Sequence, residues 1–288
     1  MKKLIALSLA ILLLTGCGAA VYEGPSEPAW VRTDSVITQY IPDTGETQTL
    51  RRTDSYDCFG NQVRTCFYVD GELESEHKRT FDDRGNCIRE VLWKRLWFFS
   101  YPQARTDWTY DEQNRRLTTT YRNGIGWKTG SDTYTYDDAA RTITWEGTYD
   151  TQTKYLDENG NVIRTVTFSE ATQTEMESHY EYDALGRHTK TTSYVDGEHA
   201  STTERRYDDQ GRLLEHTILT DAGALLTRTT YRYEGNTVTS WDEQGSRCIQ
   251  VLRPDGQVET AETYNPDGTL RTRTENIYTQ IQIPAKEE

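Results

Sequence analysis

Tyr182-Asp183-Ala184-Leu185-Gly186-Arg187 is the stretch of sequence that decides the fold, because it returns 25 residues later as Tyr207-Asp208-Asp209-Gln210-Gly211-Arg212. Both copies consist of Tyr, Asp, two variable residues, Gly and Arg. Looser copies start at Tyr56, Phe81, Tyr110, Tyr136, Leu156 and Trp241, and shorter relatives are Pro254-Asp255-Gly256 and Asn265-Pro266-Asp267-Gly268. A unit that recurs at such intervals indicates a repeat architecture.

Each copy has the chemistry of a hairpin turn. An Asp at the start of a turn accepts a hydrogen bond from the backbone two residues on, and a Gly near the end adopts the positive φ of a type I turn closed by a bulge. Thr- and Tyr-rich segments of strand length, such as residues 162–168 and 227–233, lie between the turns. We therefore predict an all-β fold: a repetitive antiparallel β-meander over residues 31–283 that forms an open or curved sheet. Helix is expected only in the signal peptide, and residues 284–288 are expected to form a C-terminal tail.

The Tyr-Asp-x-x-Gly-Arg pattern resembles the YD repeat of the Rhs group of bacterial surface and toxin proteins, and the similar stretch runs from about Tyr56 to Leu270. In that family, long arrays roll a β-sheet into a hollow shell around a toxic C-terminal segment. This chain is too short to enclose such a segment, and its last residues, IYTQIQIPAKEE, carry no toxin domain or self-cleavage motif. The resemblance therefore implies the architecture and no activity.

Residues 1–16 have the features of a lipoprotein signal peptide. Two lysines precede an apolar run from Leu4 to Leu14, which is too short to cross a membrane as a helix. The following Leu14-Thr15-Gly16-Cys17 resembles the lipobox of bacterial lipoproteins, which implies cleavage before Cys17 and acylation of that residue. Residues 17–30 are predicted to be the lipidated Cys and a flexible linker. We expect an extracytoplasmic protein held to the cell membrane or outer membrane by lipid on Cys17.

Charge limits the class of partner. The chain has 32 Lys and Arg against 46 Asp and Glu, a net charge of −14 at pH 7. The basic pairs Arg51-Arg52, Arg115-Arg116 and Arg205-Arg206 stand isolated among acidic residues. Because a phosphate-binding surface needs clustered Lys and Arg, we expect no nucleic-acid partner.

Motifs for catalysis or metal binding are absent from the sequence. The five His residues have no paired metal spacing, and there is no P-loop, GxSxG or GxGxxG motif. Nearly every Asp considered as a catalytic candidate begins a repeat turn, where turn chemistry already accounts for it. We therefore predict that the protein is not an enzyme and has no catalytic residues, no metal site and no cofactor. Cys58, Cys66, Cys87 and Cys248 allow three disulfide pairings, and the sequence leaves their redox state open.

The repeat interval from Phe81 to Tyr110 is 29 residues, longer than the 25- and 26-residue intervals on either side of it, and is rich in aromatic residues. Candidate ligand- or partner-binding residues in or near it are Trp93, Trp97, Phe98, Phe99, Tyr101 and Trp108. Extra length in a repeat array usually emerges as a loop on one face, and amphipathic rings are favoured at interfaces. The alternative is that these rings fill a local core, because large aromatic side chains are usually buried.

These features together predict a lipid-anchored cell-envelope protein of non-enzymatic binding type, which displays a repeat sheet to a protein or glycan ligand. One alternative is a carbohydrate-binding surface module, in which flat rings stack on sugar faces. Another is an immunity lipoprotein that blocks a toxin, since short arrays of Tyr-Asp-Gly hairpins also resemble MORN-like antitoxin proteins.

Overall fold

The computed structural model describes residues 26–41, 44–97 and 99–284. The predicted signal peptide, the lipidation site Cys17, the candidate Phe98 and residues 285–288 lie outside the described residues. All regular elements of the described part are β-strands, which confirms the all-β prediction. The strands are β1 (Ser26–Tyr40), β2 (Thr47–Tyr56), β3 (Gln62–Val69), β4 (Glu72–Phe81), β5 (Cys87–Leu96), β6 (Phe99–Tyr110), β7 (Arg116–Asn123), β8 (Lys128–Asp137), β9 (Thr142–Glu146), β10 (Asp150–Leu156), β11 (Val162–Ser169), β12 (Thr174–Tyr182), β13 (His188–Val195), β14 (Glu198–Tyr207), β15 (Leu213–Thr220), β16 (Leu225–Glu234), β17 (Thr237–Asp242), β18 (Arg247–Leu252), β19 (Val258–Tyr264) and β20 (Leu270–Pro284). Within these residues there is no helix of the length and apolar character needed to cross a membrane.

The strands form one antiparallel sheet that closes into a barrel. Each strand pairs with its neighbours in sequence, from β1–β2 to β19–β20. The last strand, β20, also pairs with β1, from Ser26↔Pro284 to Gln39↔Thr272. The prediction of an open or curved sheet is therefore wrong. Closure satisfies the backbone N–H and C=O groups that β1 and β20 would otherwise expose as sheet edges. The pairing of β1 begins at Ser26, within the segment predicted as linker.

The turns lie at two ends of the barrel. Turns after even-numbered strands lie at one end, which we call the repeat end because it holds the turns at Asp57, Asp183 and Asp208. Turns after odd-numbered strands lie at the other end, the tip end. β1 starts and β20 finishes at the repeat end. The copy at Trp241 lies at the tip end, because three strands, β15 to β17, separate it from the copy at Tyr207 instead of the usual two.

The strand register divides the side chains into two faces. In β14, Arg205 and Tyr207 on one face are half-buried, whereas Glu204 and Arg206 on the other face are exposed. The repeat tyrosines share the less exposed face with Arg205. Side chains converge on the concave side of a closed sheet, so this face points inward.

The barrel wall is a single layer. Among the described residues, Cys66 is the only fully buried apolar side chain. The buried polar and charged residues are Ser35, Asp54, Thr65, Ser75, Glu76, Thr119, Asp132, Thr165 and Thr217. Backbone contacts between described strands join adjacent strands only. For a circular section, twenty strands about 4.8 Å apart and tilted by about 40° give a diameter of roughly 40 Å between opposite backbones, which leaves the interior open.

Candidate functional site

Aspartate carboxylates organise the repeat turns. In the copy at Asp183, Oδ1 accepts hydrogen bonds from the backbone N–H groups of Leu185 and Arg187, both at 2.9 Å, and Oδ2 accepts one from Arg187 Nε at 2.6 Å. Gly186 has a φ of 74° and donates its N–H to the Asp183 carbonyl. The hydrogen bonds from Arg187 hold the pKa of the Asp183 carboxyl below its usual range. In the other copies, the backbone N–H groups two and four residues after the Asp donate in the same way to Asp57, Asp82, Asp111, Asp157 and Asp208. The prediction that these carboxylates serve turn structure is confirmed.

The repeat tyrosine ties adjacent strands together. Tyr207 Oη donates a hydrogen bond to the His188 carbonyl at 2.9 Å, from the end of β14 to the start of β13. Equivalent bonds are made by Tyr56, Tyr110, Tyr136, Tyr182, Tyr233 and Tyr278. Phe81, Leu156 and Leu252 end the three remaining even-numbered strands and have no hydroxyl group. The sequence pattern does not reveal this role, because the acceptor lies about 20 residues away on another strand.

The aromatic segment predicted to form a loop is a hairpin instead. Leu96 pairs with Phe99, so β5 and β6 come within two residues of each other in sequence, and the extra length of this repeat is taken up by the two strands. Trp97 has a φ of 56° and is 83% exposed. Phe99 and Tyr101 lie next to it at the tip end, each nearly half exposed.

Trp93 and Trp108 lie apart from the tip-end residues of the same segment. The Trp93 ring is on the outward face, with Lys78 Nζ 5.2 Å from its centroid. The Trp108 ring is on the inward face, with Arg116 Cζ 5.7 Å from its centroid. The structure therefore brings together Trp97, Phe99 and Tyr101, and separates them from the other two described candidates.

Two further turns at the tip end carry exposed apolar residues that the sequence analysis missed. Ile125 and Trp127 lie in the turn after β7 and Tyr149 lies in the turn after β9, with exposures of 74%, 72% and 65%. Equivalent turns on consecutive hairpins are two strand spacings apart, about 10 Å. We call Leu96, Trp97, Phe99, Ile125, Trp127 and Tyr149 the tip cluster. The signal that could have revealed it is the apolar composition of Gly124-Ile125-Gly126-Trp127, since turns are usually polar.

Local bonds fix the turn after β7. Asn123 Oδ1 accepts hydrogen bonds from the backbone N–H groups of Ile125 and Trp127 at 3.2 and 2.9 Å. Gly124 packs against β6 so closely that a Cβ atom there would lie 1.9 Å from the Pro102 carbonyl oxygen. The Ile125–Trp127 turn is thus held against the neighbouring β5–β6 hairpin.

The other described turns at the tip end are polar. Asp70-Gly71 and Asp196-Gly197 form short turns. The turns after β11, β15, β17 and β19 contain the acidic residues Glu170, Asp221, Glu243 and Asp267. The tip cluster occupies one sector of the rim, from β5 to β10, and exposed Val195, Leu225 and Leu226 lie outside it at the tip ends of β13 and β16. Exposed apolar patches are typical of interaction sites.

Titratable side chains gather at one place on the inward face. Arg205 Nη1 lies 2.8 Å from His188 Nδ1, and His216 is the cross-strand partner of Arg205. Burial and the nearby Arg205 charge lower the pKa of both His188 and His216. Both shifts favour the neutral imidazole. In the part of the chain that the structure describes, no group of three His, Cys, Asp or Glu side chains is arranged to hold a metal ion.

Comparisons with known proteins show weak structural likeness. A porin-like protein from Bacteroides uniformis is 11% identical with a TM-score of 0.42, and the match covers 89% of this chain and 99% of that one. A porin-like protein from Bacteroides vulgatus is 11% identical with a TM-score of 0.32, covering 66% of this chain and 97% of that one. The Photorhabdus luminescens Tc holotoxin pore is 10% identical with a TM-score of 0.30, covering 75% of this chain and 15% of that one. No protein-family model matches the sequence, and no curated protein matches it. These similarities assign no family.

Proposed function

We propose that the chain is a lipid-anchored protein of the cell envelope that works as a binding module rather than an enzyme, and that the tip cluster is its binding surface. The observation that carries this proposal is the exposure of Trp97, Ile125, Trp127 and Tyr149 on three consecutive turns. Exposed aromatic rings contribute little to folding, whereas they supply much of the binding energy when a partner covers them.

A glycan is a second candidate for the ligand. Trp97, Trp127 and Tyr149 form a row of rings that are about 10 Å apart from turn to turn, and such rings offer flat faces for stacking. The surrounding turns supply polar groups for hydrogen bonds to hydroxyls, as Asn123 and Thr148 illustrate.

The location is part of the proposal and depends on Cys17. Its support is the apolar run that ends in Leu14-Thr15-Gly16-Cys17. Cells labelled with a fatty-acid analogue should incorporate label into the wild-type protein and not into the Cys17→Ala variant. Equal label in both proteins would contradict lipidation at this residue.

The tip cluster is tested by comparing binding with stability. We expect the Trp97→Ala, Trp127→Ala double variant of residues 18–288 to lose binding to envelopes isolated from the host by thirtyfold or more, about 2 kcal/mol. The melting temperature should stay nearly unchanged, because the two rings are 83% and 72% exposed. The matched control is Leu185→Ala, which removes an apolar side chain that is 75% exposed at the repeat end and should leave binding intact. A large fall in melting temperature for the double variant would show that the rings are core residues.

A further inference from the structure

Cations from consecutive strands gather on the outward face of the barrel. The register places Arg105 opposite Arg122 and Arg122 opposite Lys128, so three positive side chains form one row across β6, β7 and β8. Arg89 lies one row away, and Arg89, Arg105 and Arg122 approach the Asp107 carboxylate to 2.8, 2.7 and 3.4 Å. Like charges directly opposite one another destabilise a sheet, so sheet stability does not explain this row.

The positive surface extends over β3–β8. Arg64 and Lys78 both pair with Glu76, with Lys78 Nζ 3.3 Å from the carboxylate. We call the outward-facing set the basic wall: Arg64, Lys78, Arg89, Arg95, Arg105, Arg122 and Lys128. Two carboxylates, Glu76 and Asp107, lie among these seven cations, on a chain whose net charge is −14. Glu90 and Asp132 of the same strands lie on the inward face. The basic wall cannot be recognised in the sequence, because its residues become neighbours only through the strand register.

The basic wall continues into the tip cluster. Arg95 precedes Leu96 and Trp97, and its Nε donates a hydrogen bond to the Trp97 carbonyl at 3.0 Å. Arg122 Nη1 donates to the Gly126 carbonyl at 3.2 Å, and Lys128 directly follows Trp127. Exposed Trp, Tyr and aliphatic residues flanked by Lys and Arg are typical of a surface that sits at the boundary between water and lipid.

We propose that the basic wall and the tip cluster together seat the barrel on an anionic phospholipid surface, a partner that rests on the binding role proposed for the tip cluster. The wall of a barrel is convex, so it cannot enclose a small ligand, whereas a bilayer presents phosphates over a flat area. The opposite wall lies roughly 40 Å away, well beyond the Debye length of about 10 Å at 0.1 M salt, so carboxylates there do not cancel the attraction.

The position of Cys17 specifies how the barrel lies. The fifteen residues of β1 span about 45 Å from the repeat end to the tip end. The nine peptide steps from Cys17 to Ser26 reach about 30 Å at most, too short to bring the lipid to the tip end. The basic wall begins at β3, about two strand spacings or 10 Å from β1. Lipid on Cys17 and the basic wall therefore contact the same bilayer when the barrel lies on its side.

Vesicle co-sedimentation of unlipidated protein tests the proposed contact with anionic phospholipid. Residues 18–288 include all the described strands and their closure, so this chain contains the complete barrel. We expect it to sediment with vesicles that contain phosphatidylglycerol, to stay in solution with vesicles of phosphatidylcholine alone, and to be released by salt. The Arg105→Glu, Arg122→Glu variant should bind at least about tenfold more weakly, since each basic residue near an anionic surface contributes to attraction. The Lys128 side chain makes no described ion pair, so Lys128→Glu should weaken vesicle binding and leave the melting temperature unchanged.

The matched control makes the same two charge reversals on the opposite wall of the barrel. Arg228→Glu with Arg232→Glu reverses two outward cations on β16 and should leave vesicle binding unchanged. Failure to bind phosphatidylglycerol vesicles at low salt would overturn the inference, as would equal losses in the two double variants. If envelopes are bound through Trp97 and Trp127 while these vesicles are not, the proposed binding role stands and the partner is a protein or a glycan instead.

Discussion

Asp183 shows at a single residue how the repeat folds. Its carboxylate accepts three hydrogen bonds from residues 185 and 187, which close the turn through local contacts alone. The preceding Tyr182 adds a bond from its hydroxyl to the Val162 carbonyl on the adjacent strand. One dipeptide thus sets both the turn and the position of its strand against the next one.

The turn carboxylates make stability depend on acid. Hydrogen bonds lower the folded-state pKa of Asp183, and a side-chain hydrogen bond from Asn161 does the same for Asp157. A lowered folded pKa stabilises the protein above the unfolded pKa of about 3.9, and this stabilisation is lost as the pH falls through the lower folded value. We expect the melting temperature of the wild type to fall below about pH 4.

The variant Asp183→Asn tests whether a turn carboxylate is the source of this acid sensitivity. It should melt below the wild type at pH 7, and the difference should shrink as the pH falls below about 4 and through the lowered pKa of the Asp183 carboxyl, which then becomes neutral as well. Asp209→Asn is the control, because the structure describes no hydrogen bond for that neighbouring carboxylate. A difference that stays constant with pH would refute the role of the charge.

The tyrosine hydroxyl predicts a second residue-scale effect. Tyr207→Phe removes the 2.9 Å bond to the His188 carbonyl and should lower the free energy of unfolding by about 1 kcal/mol in denaturant titration. The ring itself should fit unchanged, since Phe81 occupies the same place in β4. Tyr194→Phe removes a hydroxyl with no described hydrogen bond and should cost much less. Equal costs would show that the bond to the carbonyl contributes nothing.

At the scale of the element, the sequence predicts hairpins well and their lengths poorly. Asp, Gly and the alternation of Thr and Tyr locate turns and strands, because both signals are local. The segment around Trp97 departs from the prediction, since Trp97 adopts a positive φ directly after β5 and the extra residues lengthen β5 and β6. The exposed Ile125 and Trp127 were missed because an apolar residue in a turn gives no periodic signal.

The β7–β8 hairpin depends on a close contact with its neighbour. Gly124→Ala would place a Cβ atom 1.9 Å from the Pro102 carbonyl oxygen, which is backbone and cannot rotate away. We expect a loss of roughly 1–3 kcal/mol in the free energy of unfolding, the usual cost of overpacking.

Gly130→Ala is the matched control on the same hairpin, because its Cβ would meet the Thr148 hydroxyl at 3.2 Å, and that side chain can move. Chemical denaturation of both variants measures the loss in the free energy of unfolding for each. If Gly124→Ala were as stable as Gly130→Ala, the two hairpins would not be packed as described.

At the scale of the whole molecule, closure is the property that the sequence did not reveal. β1 and β20 are separated by more than 200 residues, and neither carries a local mark of its partner. The basic wall was hidden for the same reason, since Arg89, Arg105 and Arg122 become neighbours only through the register. Low apolar content, by contrast, is a property of the sequence that agrees with the thin wall: 34% of the residues are hydrophobic, and the described residues form one layer of sheet without a packed core.

The distance between β1 and β20 tests the closed sheet most directly. Val36 and Glu275 are paired on the outward face, so spin labels attached at Val36→Cys and Glu275→Cys should be strongly coupled in the electron paramagnetic resonance spectrum, in a chain whose other cysteines are replaced. Labels at Val36→Cys and Val166→Cys, on β1 and β11, serve as the distant control and should show no such coupling. In an open meander of the same twenty strands, Val36 and Glu275 would be roughly 90 Å apart. Strong coupling of the first pair alone is the result that the closed barrel predicts, and its absence would contradict closure.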